Sequence, residues 1–254
     1  MTYTEFLVYF TIIPIIILLI SLRGKLKRSY LSVIVLVSVI AFVATSAWDN
    51  FAVYSGIWYF PPEKTMGILF YYVPIEEYAF FFLQTFTTGL VQIFYLEKFF
   101  KPKSGMPPGN ESRTLNINII LLIIYFEIAN FYQRGTEEII KLPFGKWNYL
   151  FHLFSWAGAF ILIQLIFGRK KIKGHLKLII VPSVIMTVYF SLADAVSIGN
   201  GIWNFDPLQT IGTKIGNVPL EEILFFLMTN ILITEAMVLF LPEKYLNKNH
   251  KHKN

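Results

Sequence analysis

Two adjacent glutamates follow a proline in VPIEEYAFF at 73–81, and again in VPLEEILFF at 218–226. A carboxylate inside so apolar a stretch is unfavourable enough to need a chemical reason, and here the arrangement occurs twice. Glu76, Glu77, Glu221 and Glu222 could exchange protons with a substrate, stabilise a cation, or couple proton movement to transport. First-turn glutamates can also be plain helix caps at an interface, where the helix dipole favours them. Register argues against that reading.

Sliding the chain by 145 residues aligns 49–81 with 194–226 without a gap, and 14 of the 33 positions are identical. Unrelated sequence would give about two, so the offset marks an internal duplication. The shared frame is Asp49/Asp194, then Gly-Ile-Trp ending at Trp58/Trp203, then Phe60/Phe205, and last Pro-x-Glu-Glu. Trp58 and Trp203 taken singly could be ordinary membrane-interface tryptophans. Their fixed distance from an aspartate and a glutamate pair makes them candidates for a substrate wall, with Phe60 and Phe205 beside them.

These residues lie in a chain that is 55% hydrophobic, 17% aromatic and 15% charged, too apolar for an ordinary soluble domain. Seven stretches approach the length of a bilayer span, roughly 4–22, 30–48, 70–96, 115–133, 147–167, 176–197 and 217–241. The first has no basic flank before it and no small-residue cleavage site after it, so it reads as a span and not a removed signal. The expected fold is an all-α, multi-pass protein of the cytoplasmic membrane with seven transmembrane helices. Residues 1–100 would form a first three-span repeat, 101–146 a linker carrying span four, 147–246 a second three-span repeat, and 247–254 a basic tail. The same offset superposes spans one to three on spans five to seven. Because span four returns the chain across the bilayer, both repeats would share one orientation, which makes them parallel.

The net charge of +6 is concentrated in alternate loops, among them Arg23, Lys25, Lys27 and Arg28, then Arg169, Lys170, Lys171 and Lys173. Cationic loops stay cytoplasmic, so the amino terminus is expected outside and the carboxyl terminus inside. The charge then serves topology and contact with anionic membrane lipids, with no role in binding nucleic acid. Cysteine is absent, which removes disulfides, thiolate metal sites and thiol nucleophiles.

This topology puts the chemistry at one level. Helices starting at Pro74 and Pro219 carry the glutamates in their first turns, and Glu127, Asn130, His152 and Asn217 fall nearby. The inner halves of the spans look nearly free of ionisable groups. Neighbouring helix positions point about 100° apart, so one glutamate of each pair should face the cavity and the other a neighbouring helix. The sequence predicts a single acidic cavity with an aromatic rim. His152 has no histidine at metal-ligand spacing, so a packed, hydrogen-bonded role suits it, with contact to substrate as the bolder reading. Glu127, on the unduplicated span, could line the cavity or only bridge the halves.

With Pro74-Ile75-Glu76-Glu77 and Pro219-Leu220-Glu221-Glu222 in register with the Asp49 and Asp194 frames, the chain resembles the membrane lycopene cyclases of the heterodimeric type. In that family the two halves occur as separate small proteins or fused. The resemblance covers nearly the whole chain and implies a fused form. It also implies lycopene as substrate, other carotenoid enzymes as partners, and acid–base cyclisation to β-type rings. Lycopene has no polar handle and must enter from the bilayer. Cyclisation adds a proton to a terminal double bond, closes the ring onto the cation, and removes a ring proton. No net redox occurs, so no cofactor and no metal is expected. On this reading Glu76, Glu77, Glu221, Glu222, Asp49 and Asp194 are catalytic, and Trp58, Trp203, Phe60, Phe205, Glu127 and His152 contact substrate.

Other classes fit less well. A proton-coupled small-molecule carrier would need a path to both faces, whereas the acidic groups gather on one side. A retinal protein needs a mid-span lysine in the last helix, and 217–241 has none. A Mg²⁺-dependent prenyltransferase would want aspartate clusters, yet Asp49 and Asp194 stand alone.

Overall fold

The computed structural model describes residues 1–100 and 143–246. The expected fourth span, with Glu127 and Asn130, and the basic tail lie outside the described residues.

Among the described residues six helices are long and apolar enough to cross a membrane. They are α1 (Tyr3–Ser21), α2 (Arg28–Tyr54), α3 (Ile75–Lys98), α4 (Gly145–Gly174), α5 (Leu176–Gly199) and α6 (Leu220–Phe240). The protein is thus mostly helical and multi-pass.

The most enclosed helices, α3 and α6, pack against each other at the centre. Their contact is partly polar. Gln84 Nε2 donates to Thr229 Oγ1 at 3.2 Å, Thr88 Oγ1 to Asn230 Oδ1 at 2.8 Å, and Gln92 Nε2 to the Thr234 carbonyl at 3.0 Å. Polar side chains that bond across helices are a usual adhesive where no water drives association. Around this pair, α1 and α2 pack on α3 as α4 and α5 pack on α6.

Two prolines inside helices are accommodated by the same bonding. Pro14 has no N–H for the Phe10 carbonyl four residues back, and the Tyr189 hydroxyl of α5 donates to it at 3.0 Å. Pro182 likewise leaves the Leu178 carbonyl, which Gln92 Nε2 fills at 3.1 Å. In the absence of water a neighbouring side chain must satisfy each freed carbonyl. Both α1 and α4 contain one π-helical turn, at Val8–Ile12 and Phe154–Gly158. These turns are 146 residues apart, one more than the offset of the motifs.

Three short ribbons lie where the helices turn round. Strand β1 (Trp58–Tyr59) pairs antiparallel with β4 (Asn204–Phe205), setting Trp58 opposite Phe205 and Tyr59 opposite Asn204. Tyr59 and Asn204 are themselves 145 apart, so equivalent residues meet. Strands β2 (Leu69–Phe70) and β3 (Val73–Pro74) form a hairpin before α3, and β5 (Lys214–Ile215) and β6 (Val218–Pro219) form another before α6.

These hairpins correct the expected helix starts. Pro74 and Pro219 are strand-ending N-caps in extended backbone, with ψ of 149° and 144°, and not first-turn residues. A proline at the cap removes an N–H that the helix would have left unpaired. Helix α2 also runs past residue 48 to Tyr54, so Asp49 lies inside the helix and not beyond its end.

Candidate active site

Asp49, Gly-Ile-Trp and Phe60 recur because they build one local device. Helix α2 ends at Tyr54 with Ser55 as its C-cap, and Gly56 follows with φ of 71°. The Ile57 N–H reaches back to the Ala52 carbonyl (2.9 Å) and the Gly56 N–H to the Val53 carbonyl (3.0 Å). This is a Schellman stop, in which glycine takes the left-handed position and the next apolar residue packs inward. Ile57 is fully buried. The chain then doubles back, and Trp58 Nε1 donates to Asp49 Oδ1 at 3.0 Å, fixing the ring. The second copy repeats this. Gly201 has φ of 65°, Ile202 N–H meets the Ser197 carbonyl at 3.0 Å, and Trp203 Nε1 donates to Asp194 Oδ1 at 2.7 Å. The two aspartates orient the two indoles.

The glutamates divide as the 100° spacing requires, though not toward the partner expected. Glu76 Oε1 accepts the Met66 N–H at 2.5 Å, and Glu221 Oε1 accepts the Ile211 N–H at 2.6 Å. These two tie down the loop before each helix, where a neighbouring helix had been expected. Glu77 and Glu222 turn to a chamber between the halves. The Tyr3 hydroxyl of α1 donates to Glu77, and the Tyr149 hydroxyl of α4 donates to Glu222.

The chamber is partly open, with about 390 Å³ of space counting its open mouth. Glu77, Glu222 and Asp49 are its carboxyl groups, and Trp58, Trp203, Phe60 and Phe205 are among its walls, with Trp48, Phe80, Tyr149, Phe225 and Phe226. Asp194 is fully buried behind Trp203. Among the described residues no lysine or arginine pairs with these carboxyls; the ion pairs Lys27–Glu97 and Lys171–Glu243 involve other groups. Carboxyl groups among aromatic faces and hydroxyl donors, without a neutralising cation, suit proton transfer to an apolar molecule and stabilisation of the cation that results. Among the described residues no cluster of three His, Cys, Asp or Glu could hold a metal ion.

His152 is placed elsewhere. Its ring stacks on Trp48 at 4.8 Å, and its Nε2 bonds the Trp48 carbonyl at 3.0 Å while Trp48 Nε1 donates to the His152 carbonyl at 3.1 Å. This reciprocal pair joins α2 to α4 behind the chamber wall. Asn217 holds the second hairpin, with Nδ2 on the Ala195 carbonyl at 2.7 Å.

The halves of the spans far from the chamber, expected to be nearly free of ionisable groups, also differ from expectation. Glu235, about 20 Å along α6 from Glu222 at 1.5 Å per residue, is buried, and its Oε2 has no hydrogen-bond partner among the described residues. Lys171 is buried with Nζ on the Leu239 and Leu241 carbonyls at 3.0 and 2.7 Å. Lys171 caps the end of α6, where exposed carbonyls favour a cation.

Tyr3 and Tyr149 were not anticipated. They align only at an offset of 146, because the first half has one more residue between its tyrosine and its aspartate.

Comparison with known proteins identifies the family. The profile described as "Lycopene cyclase" matches residues 1–95 and 146–247. A bifunctional lycopene cyclase/phytoene synthase of Podospora anserina is 33% identical over 217 residues, covering 82% of this chain and 34% of that protein. One of Phaffia rhodozyma is 32% identical over 214 residues, covering 76% and 30%. The chain thus spans about a third of the length of these fungal relatives. A lycopene beta-cyclase of Halobacterium salinarum is 26% identical over 197 residues, covering 77% of this chain and 76% of that protein. No solved structure matches the chain. With both motif-bearing segments inside the matched residues, this chain belongs to the lycopene cyclase family.

Proposed function

We propose that the chain cyclises the linear ends of lycopene to β-type rings by acid–base chemistry in one chamber shared by its two halves. The observation that carries this reading is the convergence of Glu77 and Glu222, one from each half, on a single aromatic-walled space.

In the proposed reaction one of the two glutamates gives its proton to the terminal double bond of the polyene. A tertiary cation forms, and the electrons of a nearby double bond close the six-membered ring onto it. The other carboxylate takes the adjacent C–H proton, leaving the ring double bond. One proton enters and one leaves, so the pair is restored by moving a proton between its members. The indole faces of Trp58 and Trp203, held by Asp49 and Asp194, stabilise the passing cation. Tyr3 and Tyr149 orient the reacting carboxyls. Glu76 and Glu221 hold the loops that cover the chamber.

The same proposal has the chamber in the outer half of the cytoplasmic membrane, two parallel three-span repeats fused through a fourth span, and an external amino terminus. The equal bonding of Asp49–Trp58 and Asp194–Trp203 supports the repeat. So does the profile match in two pieces, separated at 96–145. Expression in a lycopene-accumulating bacterial strain tests the reading. The parental chain should convert the red pigment to ringed carotenoids, and the Glu77→Gln/Glu222→Gln double variant should leave it linear. A parental chain that leaves lycopene unchanged would refute the assignment.

A further inference from the structure

Below the chamber an open groove, with about 780 Å³ of space counting its open side, runs between α2 and α4 along the face of α6. Its walls follow α6 from Phe225 to Phe240, about 22 Å of helix at 1.5 Å per residue. Phe225 is a wall of both cavities, and Trp48 of the chamber stacks on Trp156 of the groove at 4.7 Å. The α2 side is lined by small or slender residues, among them Ile40, Ala41, Ala44 and Thr45. Neighbouring Leu36, Val39 and Phe42 are exposed apolar side chains of the kind that meets lipid.

The equivalent face on the other side of the molecule is filled. At the 145-residue offset Ala41 becomes Met186, Ala44 becomes Tyr189 and Thr45 becomes Phe190. Phe190 is fully buried, edge-on to Phe80 at 5.9 Å and stacked on Phe226 at 5.7 Å. Tyr189 is fastened to α1 through the Phe10 carbonyl.

We infer that the α2–α4 groove is the polyene-binding track, and that Met186, Tyr189 and Phe190 close its counterpart. The inference rests on the cyclase reading above and specifies how the substrate lies. One end of the linear chain occupies the chamber while the unreacted remainder runs down the groove. The second end is cyclised only after the molecule leaves and returns reversed. Ile40, Ala41 and Ala44 then select a slender conjugated chain over bulkier lipid.

Binding tests this independently of ring formation. Purified Ile40→Trp and Ala44→Phe proteins should retain roughly tenfold less lycopene than the parent, read by visible absorption, because filling a groove removes the contacts that hold its ligand. Ile185→Trp, at the offset equivalent of Ile40 on the filled side, should retain the parental amount. Ile40 lies at the rim and tolerates a larger side chain should Ala44→Phe fail to fold. Equal retention by Ile40→Trp and the parent, or an equal loss in Ile185→Trp, would overturn the groove. Normal retention without any ringed product in the parent would instead count against the cyclase chemistry.

Discussion

The two halves are alike where the chamber is and unlike where the groove is. Around the carboxyls they agree nearly atom for atom: Asp49 with Trp58 and Asp194 with Trp203, Glu76 with the Met66 amide and Glu221 with the Ile211 amide, Tyr3 with Glu77 and Tyr149 with Glu222. On the flanks the first half keeps Ala41 and Ala44 where the second has Met186 and Tyr189. The proposed reaction gives and takes a proton and so has use for two carboxyls, one from each copy. One extended substrate has use for one track, so the second flank is free to become packing. The hairpins show a third kind of difference, where the contact persists and its residues exchange. Asn50 Oδ1 accepts the Tyr72 N–H at 3.0 Å in the first half, whereas in the second Asn217 reaches from the turn to the Ala195 carbonyl.

The sharpest way to break the likeness is through the glutamates that face the chamber. Glu77→Gln and Glu222→Gln should each slow ring formation by roughly a hundredfold or more, since an amide keeps the shape but cannot exchange the proton. The two losses should be of similar size at equal protein levels, measured as initial rates of product formation. Smaller but still paired effects are expected from Tyr3→Phe and Tyr149→Phe. Each removes one hydrogen bond to a reacting carboxyl, of about 1.5–3 kcal/mol if that group is charged, which corresponds to roughly ten- to hundredfold in rate. Initial rates again read this, and a large effect in only one half would show that one tyrosine merely packs.

Glu76→Gln and Glu221→Gln should separate from their neighbours. Their carboxyls hold loop amides, and an amide oxygen can still accept those bonds. Thermal unfolding in detergent should therefore fall by about 1 kcal/mol or less, with rates reduced only severalfold. Loss of activity as deep as that of Glu77→Gln would move the chemistry to the first glutamate of the pair. The smallest effects belong to the hairpin ties. Asn50→Ala and Asn217→Ala should each lower stability by about 1 kcal/mol and leave the products unchanged, checked by the same melts and pigment extracts.

What could be read from the amino acids alone follows from how each feature is encoded. Pro-x-Glu-Glu and Asp-x₆-Gly-Ile-Trp were legible because a carboxylate in apolar sequence, a left-handed glycine and an indole each require one residue type. Their repetition at one offset exposed the chamber's frame. Tyr3 and Tyr149 were hidden by a one-residue slip, and by being two aromatics among many. The hairpins escaped notice because Val73 and Tyr72 suit the start of an apolar span as well as a strand. Tyr71 takes φ of 57° where the second copy uses Gly216, so the first turn lacks its usual glycine signal. The groove was invisible for a different reason. Replacing Ala41 by Met186 exchanges one apolar residue for another, and only packing shows that one leaves space and the other fills it.

The central claim is that both halves act on the same substrate end in one chamber. The pigment profile of the single variants Glu77→Gln and Glu222→Gln in lycopene-accumulating cells tests it most directly. A shared chamber predicts that either variant alone leaves linear lycopene, with one-ringed and two-ringed products lowered together. Accumulation of a one-ringed carotenoid at parental levels in either variant would mean that each half cyclises its own end, and would contradict the account.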